Sequence, residues 1–419
     1  MVKQGGMRFF KQTITTVPIQ GKTVLVRADY NVPLNEEGAI DDDFRIRASV
    51  PTIKALLADN CKVVIISHLG RPEGRDLKLS LEPVAQRLAE LLAEPVRFVD
   101  QTVGDKVRMA IKRAPKRSVT ILENLRFDPR EEANDETFAR QLAQDSGAAY
   151  FVQDGFGVVH RAHASTVAIT QWLPSVAGLL LEREYTAITG AMKHPEHPLV
   201  AVMGGAKVAD KIAVIERLIP VADQIIIAGA MANTFLAYRG FSMGKSVYEP
   251  HENAILETIY AAARKKVGEV VDEFIVLPTD LAVGGAIDEN EKRRTVAADA
   301  LQENDIALDI GEKSIERMDA AVAKAKTVIW NGTLGYATLP EFAHASAKLA
   351  LTLATHPKIT SIIGGGDTAD FVLHWDARGG ESFTHVSTGG GASLDLMAGK
   401  KLPGIESLLD APRSVGYTK

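Results

Sequence analysis

A single cysteine, Cys61, stands in a chain of 419 residues. One thiol excludes an internal disulfide framework and any cysteine-based metal cluster, and it suits a reducing compartment. Neither charge sign dominates: 48 Lys and Arg face 53 Asp and Glu, for a net charge of −5. A strongly basic nucleic-acid binder is therefore not expected. No apolar run approaches the ~18 residues that a membrane span requires. The opening MVKQGGMRFFKQ is too polar for a secretory signal, so a cytoplasmic protein is the expectation. Three phosphate and nucleophile motifs are also missing. Without G-x-x-x-x-G-K-[ST] the chain is not a P-loop enzyme. No G-x-G-x-x-G follows the first apolar run, so a dinucleotide-binding fold is unsupported. No G-x-S-x-G signals an α/β-hydrolase. There is no low-complexity tract, and no fixed period that would build a solenoid.

What remains is an ordinary globular composition, 46% apolar and 24% charged, long enough for two or three domains. Short β-branched runs alternate with helical stretches. In the first half the runs are Thr23–Val26, Lys62–Ile66, Val96–Val99, Val119–Leu122 and Ala149–Val152. In the second half they are Leu199–Met203, Gln224–Ala228, Phe274–Leu277, Val328–Trp330 and Thr360–Ile363. Between them lie helix-like stretches such as Leu81–Ala93. Continuous apolar strands separated by helices predict parallel sheets covered on both faces. Ten strands are many for one twisted open sheet, so the fold class is read as α/β, with two doubly wound parallel-sheet domains. Ser175–Met192 reads as one helix joining them, stopped by His194-Pro195-Glu196-His197-Pro198.

Ligands of open α/β sheets bind beyond the carboxyl ends of the strands. In the first half those ends carry Arg27-Ala28-Asp29-Tyr30-Asn31, His68-Leu69-Gly70-Arg71, Arg126 in Glu123-Asn124-Leu125-Arg126, and His160-Arg161-Ala162-His163. Arg45 lies in the first crossover. Arginine forks bind phosphate or carboxylate, and a converging set needs a multiply charged anion to offset its own repulsion. Residues 1–180 hold 24 basic and 22 acidic side chains, against 24 and 31 in the remainder. His160 and His163 form a lone H-x-x-H, which reads better as structural or anion-binding than as a metal site.

In the second half the strands end in glycine. The turns are Gly204-Gly205-Ala206-Lys207, Gly229-Ala230, Asn331-Gly332-Thr333, Gly364-Gly365-Gly366-Asp367-Thr368 and Gly389-Gly390-Gly391. A glycine turn feeding a helix N-terminus is a ready anion site. Lys207 and Lys211, four apart, are predicted on one helix face, where like charges need an anion between them. Asp367-Thr368 is predicted to cap a helix over Ala369–Trp375, with Asp367 free to face hydrated Mg²⁺.

In order along the chain, these stretches resemble the phosphoglycerate kinase family. The matching pieces are RADYNVP from Arg27, HLGRP from His68, LENLRF from Leu122, HRAHAS from His160, GGAKVADK from Gly204, AMANTF from Ala230, WNG from Trp330, GGGDT from Gly364, STGGGAS from Ser387 and GKKLPG from Gly399. The resemblance implies two domains facing a cleft: residues 1–185, rejoined by the tail 406–419, for phosphoglycerate, and residues 186–405 for nucleotide. It implies a return of Arg413–Lys419 to the first domain.

By the same resemblance, Asp29, Tyr30, Asn31, Arg45, His68, Leu69, Gly70, Arg71, Arg126 and Arg161 bind 3-phosphoglycerate or 1,3-bisphosphoglycerate. Gly205, Lys207, Lys211, Asn331, Thr338, Gly365, Gly366, Asp367 and Thr368 bind Mg-ADP or Mg-ATP, with Asp367 holding Mg²⁺. Arg45, Lys207 and Lys211, with the amides near Gly366 and Gly390, stabilise the transferring group. The implied reaction is reversible, direct in-line phosphoryl transfer with hinge closure, in a monomer whose partners are these small molecules and neither nucleic acid nor membrane. The family pattern WNGP-x-G-x-FE departs here: Thr333 stands for the proline and Thr338 for the glutamate that meets the ribose, leaving Glu341 as a candidate substitute. A non-catalytic, phosphometabolite-binding or altered-specificity relative of the family is the alternative.

Overall fold

The computed structural model describes residues 8–412. Two compact units result: Met1–Thr186 with Lys401–Lys419, and Ala187–Lys400. The C-terminal stretch Arg413–Lys419, for which the resemblance implies a return, lies outside the described residues.

In the first unit the strands are β1 (Thr23–Arg27), β2 (Lys62–Ile66), β3 (Val96–Val99), β4 (Ser118–Leu122), β5 (Tyr150–Gln153) and β6 (Ser175–Ala177). Their order is β3-β4-β2-β1-β5-β6, and every pairing is parallel. Successive side chains alternate between faces, yet both faces are apolar. Val24 and Val26 pack with Ile53, Leu56 and Leu88, whereas Leu25 packs with Phe138, Leu142 and Phe151. That two-sided burial is why the strands read as continuous hydrophobic runs. The helix Glu136–Ser146 shows how sequence sets an end: the Asp135 carboxylate accepts from the Phe138 amide at 2.8 Å.

The second unit begins with β7 (Leu199–Met203), β8 (Gln224–Ile227) and β9 (Ile275–Val276). It continues through β10 (Asp280–Gly284), β11 (Arg294–Ala297) and β12 (Ile306–Ile310), and ends with β13 (Thr327–Asn331), β14 (Thr360–Gly364) and β15 (His385–Val386). Six of these form a parallel sheet in the order β15-β14-β13-β7-β8-β9. The other three form an antiparallel sheet, β11-β10-β12, which no run in the sequence analysis anticipates.

The single helix expected over Ser175–Met192 is corrected. Ser175–Ala177 is a strand paired with Phe151–Gln153, and the helix runs Leu179–Lys193. The break falls at Gly178, where a Cβ would lie 2.1 Å from the Asp154 carboxylate. Asp154 is wholly buried. Its Oδ1 accepts from Thr52 Oγ1 at 2.9 Å and from the Leu180 amide at 3.0 Å, while Oδ2 has no partner. Burial raises this carboxyl to about 7.

The segment around Lys11 is tied to residues far along the chain. Lys11 Nζ donates to the carbonyls of Glu406 at 2.8 Å and Leu408 at 2.9 Å, and reaches Asp410 Oδ1 at 2.7 Å. Among the described residues no helix is long and apolar enough to cross a membrane.

Candidate active site

The order β4-β2-β1-β5 sets four neighbouring parallel strands with their carboxyl ends on one edge of the first unit. Those ends deliver Glu123 to Arg126, Ser67-His68, Arg27 to Asn31, and Gln153-Asp154. The central group is His68, which is buried. Burial and the charges of Arg27, Arg126, Arg45 and Arg161 hold its imidazole well below the usual range, so it is neutral at pH 7. Arg126 in turn feels Arg161 and Arg71. The five guanidinium groups face three carboxylates: Arg45 lies 3.4 Å from Asp29, Arg27 3.9 Å from Glu131, and Arg126 2.9 Å from Glu132. Two positive charges remain uncompensated, a setting for an anion carrying more than one charge.

Asn124, fully buried, organises this edge. Its Nδ2 donates to the carbonyls of Leu69 and Leu79 at 2.7 and 2.9 Å, and its Oδ1 accepts from the Arg126 amide at 3.0 Å. Asn31 Oδ1 accepts from the Gly70 amide at 2.7 Å, while Arg45 and Arg126 donate to the carbonyls of Asn31 and Gly70. Asn124 is not among the expected site residues, because a single amide between Glu123 and Leu125 carries no pattern of its own. The Tyr30 ring is in the core with its hydroxyl on Ser49 Oγ at 2.9 Å, and burial raises its phenol. The Leu69 side chain is likewise buried. Arg71 is exposed, and Arg161 Nε donates to His160 Nε2 at 3.3 Å. Burial and neighbouring arginines push His163 down to about 4. Among the described residues no three His, Cys, Asp or Glu side chains gather as metal ligands.

In the second unit the glycine turns meet one another. Gly332, with φ +92°, lies so close to the Gly204 carbonyl that a Cβ would sit 2.3 Å from it. Lys211 Nζ fills the same place, donating to the carbonyls of Gly204 and Asn331. It is 8% exposed, and burial pushes the ammonium down to about 8, partly opposed by Asp367 and Asp210. The single helix face expected to carry Lys207 and Lys211 is corrected: Lys207 is in the loop, and the helix begins only at Ile212.

The helix expected over Ala369–Trp375 starts earlier, at Gly366, and has no side-chain cap. Thr368 instead uses its Oγ1 to accept the Gly332 amide at 2.7 Å. A Cβ on Gly390 would lie 3.1 Å from the Gly366 nitrogen, so the N-termini of the helices Gly366–Trp375 and Gly390–Met397 converge. Asn331 is buried beside Gly364 and Gly365, and its Nδ2 has no partner. Two helix N-termini, an unpartnered amide donor and a buried ammonium together favour phosphate oxygens.

A cavity of about 790 Å³ opens from these turns, taking in Gly205, Gly229 and Asp367. Val247, Leu281, Ile306, Leu308, Tyr336 and Phe371 give it apolar walls. It suits a flat ring carrying a phosphate chain. Thr338 lines it, whereas Glu341 is exposed and is not among the residues of its wall. Asp370 and His374 face it without having been expected. Asp309 is also there, raised to about 6 by burial; its oxygens accept from Ala345 and Ile310 amides and meet Arg293 at 3.0 Å. No local pattern marks Asp309, since the antiparallel strand that carries it is not legible as a run; Asp370 and His374 stand on the helix Gly366–Trp375. A lone exposed Asp367 beside phosphate-binding turns fits Mg²⁺, which keeps most of its shell as water and substrate phosphate.

The phosphoglycerate kinase family model matches residues 14–400. Phosphoglycerate kinase of Pelotomaculum thermopropionicum is 43% identical over 401 residues, covering 96% of this chain and 99% of that protein. That of Chloroflexus aggregans is 44% identical over 407 residues, covering 96% and 99%. The solved phosphoglycerate kinase of Coxiella burnetii superposes with a TM-score of 0.81 at 32% identity, over 95% of this chain and 98% of that one. The one from Pyrococcus horikoshii gives 0.80 at 30%, over 96% and 98%. With strand-end arginines in one unit and converging glycine turns in the other, the chain belongs to the phosphoglycerate kinase family.

Proposed function

We propose that this chain catalyses reversible phosphoryl transfer between 1,3-bisphosphoglycerate and ADP, the first unit holding phosphoglycerate and the second the nucleotide. The observation that carries the nucleotide assignment is the convergence of two helix N-termini on a glycine turn beside buried Lys211. Retention of Arg45, Lys207, Lys211 and Asp367 speaks against a non-catalytic relative.

Arg45, Arg71, Arg126 and Arg161 hold the multiply charged acid, and His68 donates one hydrogen bond to it. Asn331 Nδ2, the amides at Gly365, Gly366 and Gly390, and the Thr368 turn receive the nucleotide's phosphates, while the apolar slot takes the base. Lys207 and Lys211, with Arg45, neutralise charge that spreads over the transferring group. Asp367 would hold Mg²⁺, which supplies charge neutralisation on the nucleotide's phosphates when bound. Transfer is in line and direct, and needs positioning more than covalent chemistry. Substrates held on separate units must be brought together and shielded from water, so hinge closure belongs to the proposal. The protein is proposed to act as a cytoplasmic monomer.

The test is purified protein with 3-phosphoglycerate and Mg-ATP, coupled to NADH oxidation. Turnover well above that of Arg45→Ala is expected, and none above that control overturns the reading. Compaction in small-angle scattering with both substrates bound checks closure.

A further inference from the structure

Beneath the arginine edge lies a chain of charged and polar groups that the transfer reaction does not itself use. Arg27 is 1% exposed, and Glu131 and Ser165 are fully buried. Arg27 Nε donates to Ser165 Oγ at 2.7 Å, and Ser165 passes its hydroxyl proton and its amide to the two oxygens of Glu131. Arg27 Nη1 is fixed on the Ala28 carbonyl. The remaining nitrogen, Nη2, lies 3.2 Å from His68 Nδ1.

A guanidinium only donates, so His68 Nδ1 must accept. An imidazole that accepts at Nδ1 carries its proton on Nε2. His68 Nε2 makes no hydrogen bond among the described residues, leaving that N–H for a ligand. Every link upstream is held at both ends, so the Arg27 plane cannot rotate without breaking a buried bond.

We propose that Glu131, Ser165 and Arg27 are positioning residues that lock His68 as the neutral Nε2–H tautomer, making it a hydrogen-bond donor to the substrate rather than a cation. The inference rests on His68 belonging to the phosphoglycerate site. The charged groups facing His68 are Arg27, Arg45, Arg126 and Arg161, with Asp29 at 4.0 Å from Nδ1. Burial and four cations, against Asp29 and the Glu131 and Glu132 that pair with Arg27 and Arg126, oppose a charged imidazole, in agreement with its depressed titration. A neutral donor adds specificity to a site already rich in charge: it recognises an oxygen lone pair without adding repulsion to the arginines.

The experiment is two-bond ¹H–¹⁵N correlation spectroscopy on full-length protein labelled with ¹⁵N-histidine, with His68→Gln identifying the signals. The wild type is expected to show a single Nε2–H pattern that does not titrate between about pH 5.5 and 8.5. Arg27→Gln and Ser165→Ala are expected to give a tautomer mixture and a titrating His68. Both should raise the KM for 3-phosphoglycerate about tenfold while leaving the KM for ADP within about twofold. An Nδ1–H or imidazolium pattern in the wild type overturns the proposal, and needs no variant to fold. A KM change with an unaltered His68 pattern in either variant overturns it too, since a merely structural role does that. Calorimetric titration with 3-phosphoglycerate separates the two readings: if the wild type binds no better than His68→Gln, the site assignment fails, whatever the tautomer.

Discussion

Thr368 Oγ1 accepts the amide hydrogen of Gly332 at 2.7 Å, tying the turn after β13 to the first turn of the helix after β14. Trp330 Nε1 holds the Gly332 carbonyl from the other side at 2.8 Å. The hydroxyl expected to cap its own helix thus anchors a neighbouring turn. Thr368→Val removes the acceptor and leaves a buried N–H unsatisfied, at about 1–3 kcal/mol. A rise in the KM for ADP of about tenfold or more is expected, with Thr368→Ser close to wild type, as read in steady-state kinetics.

Gly332→Ala is expected to be far more severe. Its Cβ would meet the Gly204 carbonyl and Lys211 Nζ at 2.3 Å, in a backbone conformation that side chains rarely adopt. Strain of about 1–3 kcal/mol comes from the conformation alone, before any clash. Activity should fall more than about a hundredfold. Two-step urea unfolding should place the lost stability in the second unit; loss confined to the first unit would contradict this.

Lys211 makes nucleotide binding sensitive to alkaline pH. In the free protein, burial pushes its ammonium down to about 8. A phosphate chain beside it favours the charged form and raises that value again. Above about pH 8 binding must therefore take up a proton, and ADP affinity falls as pH rises further. Calorimetry at pH 9 in two buffers of different ionisation enthalpy reads the uptake directly. Lys211→Arg should abolish it.

Thr338 offers the cavity a hydroxyl where the family pattern has a carboxylate. Thr338→Glu is expected to lower the KM for ADP about five- to tenfold, by adding charge-assisted hydrogen bonds to the ribose diol. The same change should leave the KM for 2′,3′-dideoxy-ADP unaltered. An unchanged KM for ADP removes the ribose argument.

Asp154 carries a different pH dependence, that of stability. Its folded value, about 7, exceeds the ordinary unfolded value near 4. The folded state then binds more protons between those limits, so the contribution is full below about pH 4 and is lost as pH rises through 7. The difference in unfolding free energy between wild type and Asp154→Asn should fall across that window and flatten above it. A difference independent of pH would show that Asp154 is ionised throughout.

Much of this was readable in the residues, for a physical reason. Buried parallel strands must be apolar on both faces, so Thr23–Arg27 or Lys62–Ile66 announce themselves as runs. Strand-end ligand sites follow from topology, so the arginines and glycines could be located before their partners were known. The short strand Ser175–Ala177 is hidden because a three-residue Ser-Val-Ala stretch directly before a helix has too few residues to show a period of its own. Lys207 and Lys211 were misassigned because spacing alone cannot say where a glycine turn ends. The Arg27–Ser165–Glu131 chain left no trace either: its links span 138 and 34 residues, and no periodicity connects them.

The Lys11 clasp bears on how the molecule is made. Its three bonds reach 395 to 399 residues along the chain. The second unit is one uninterrupted stretch, Ala187–Lys400, and is wholly synthesised before Glu406, Leu408 and Asp410 appear. During translation, then, the later-encoded unit can reach its final bonding first, while the earlier one waits for the Leu409 amide to meet the Ser175 carbonyl of β6. The half proposed to bind phosphoglycerate is the half that a stalled or truncated ribosomal product would leave unfinished.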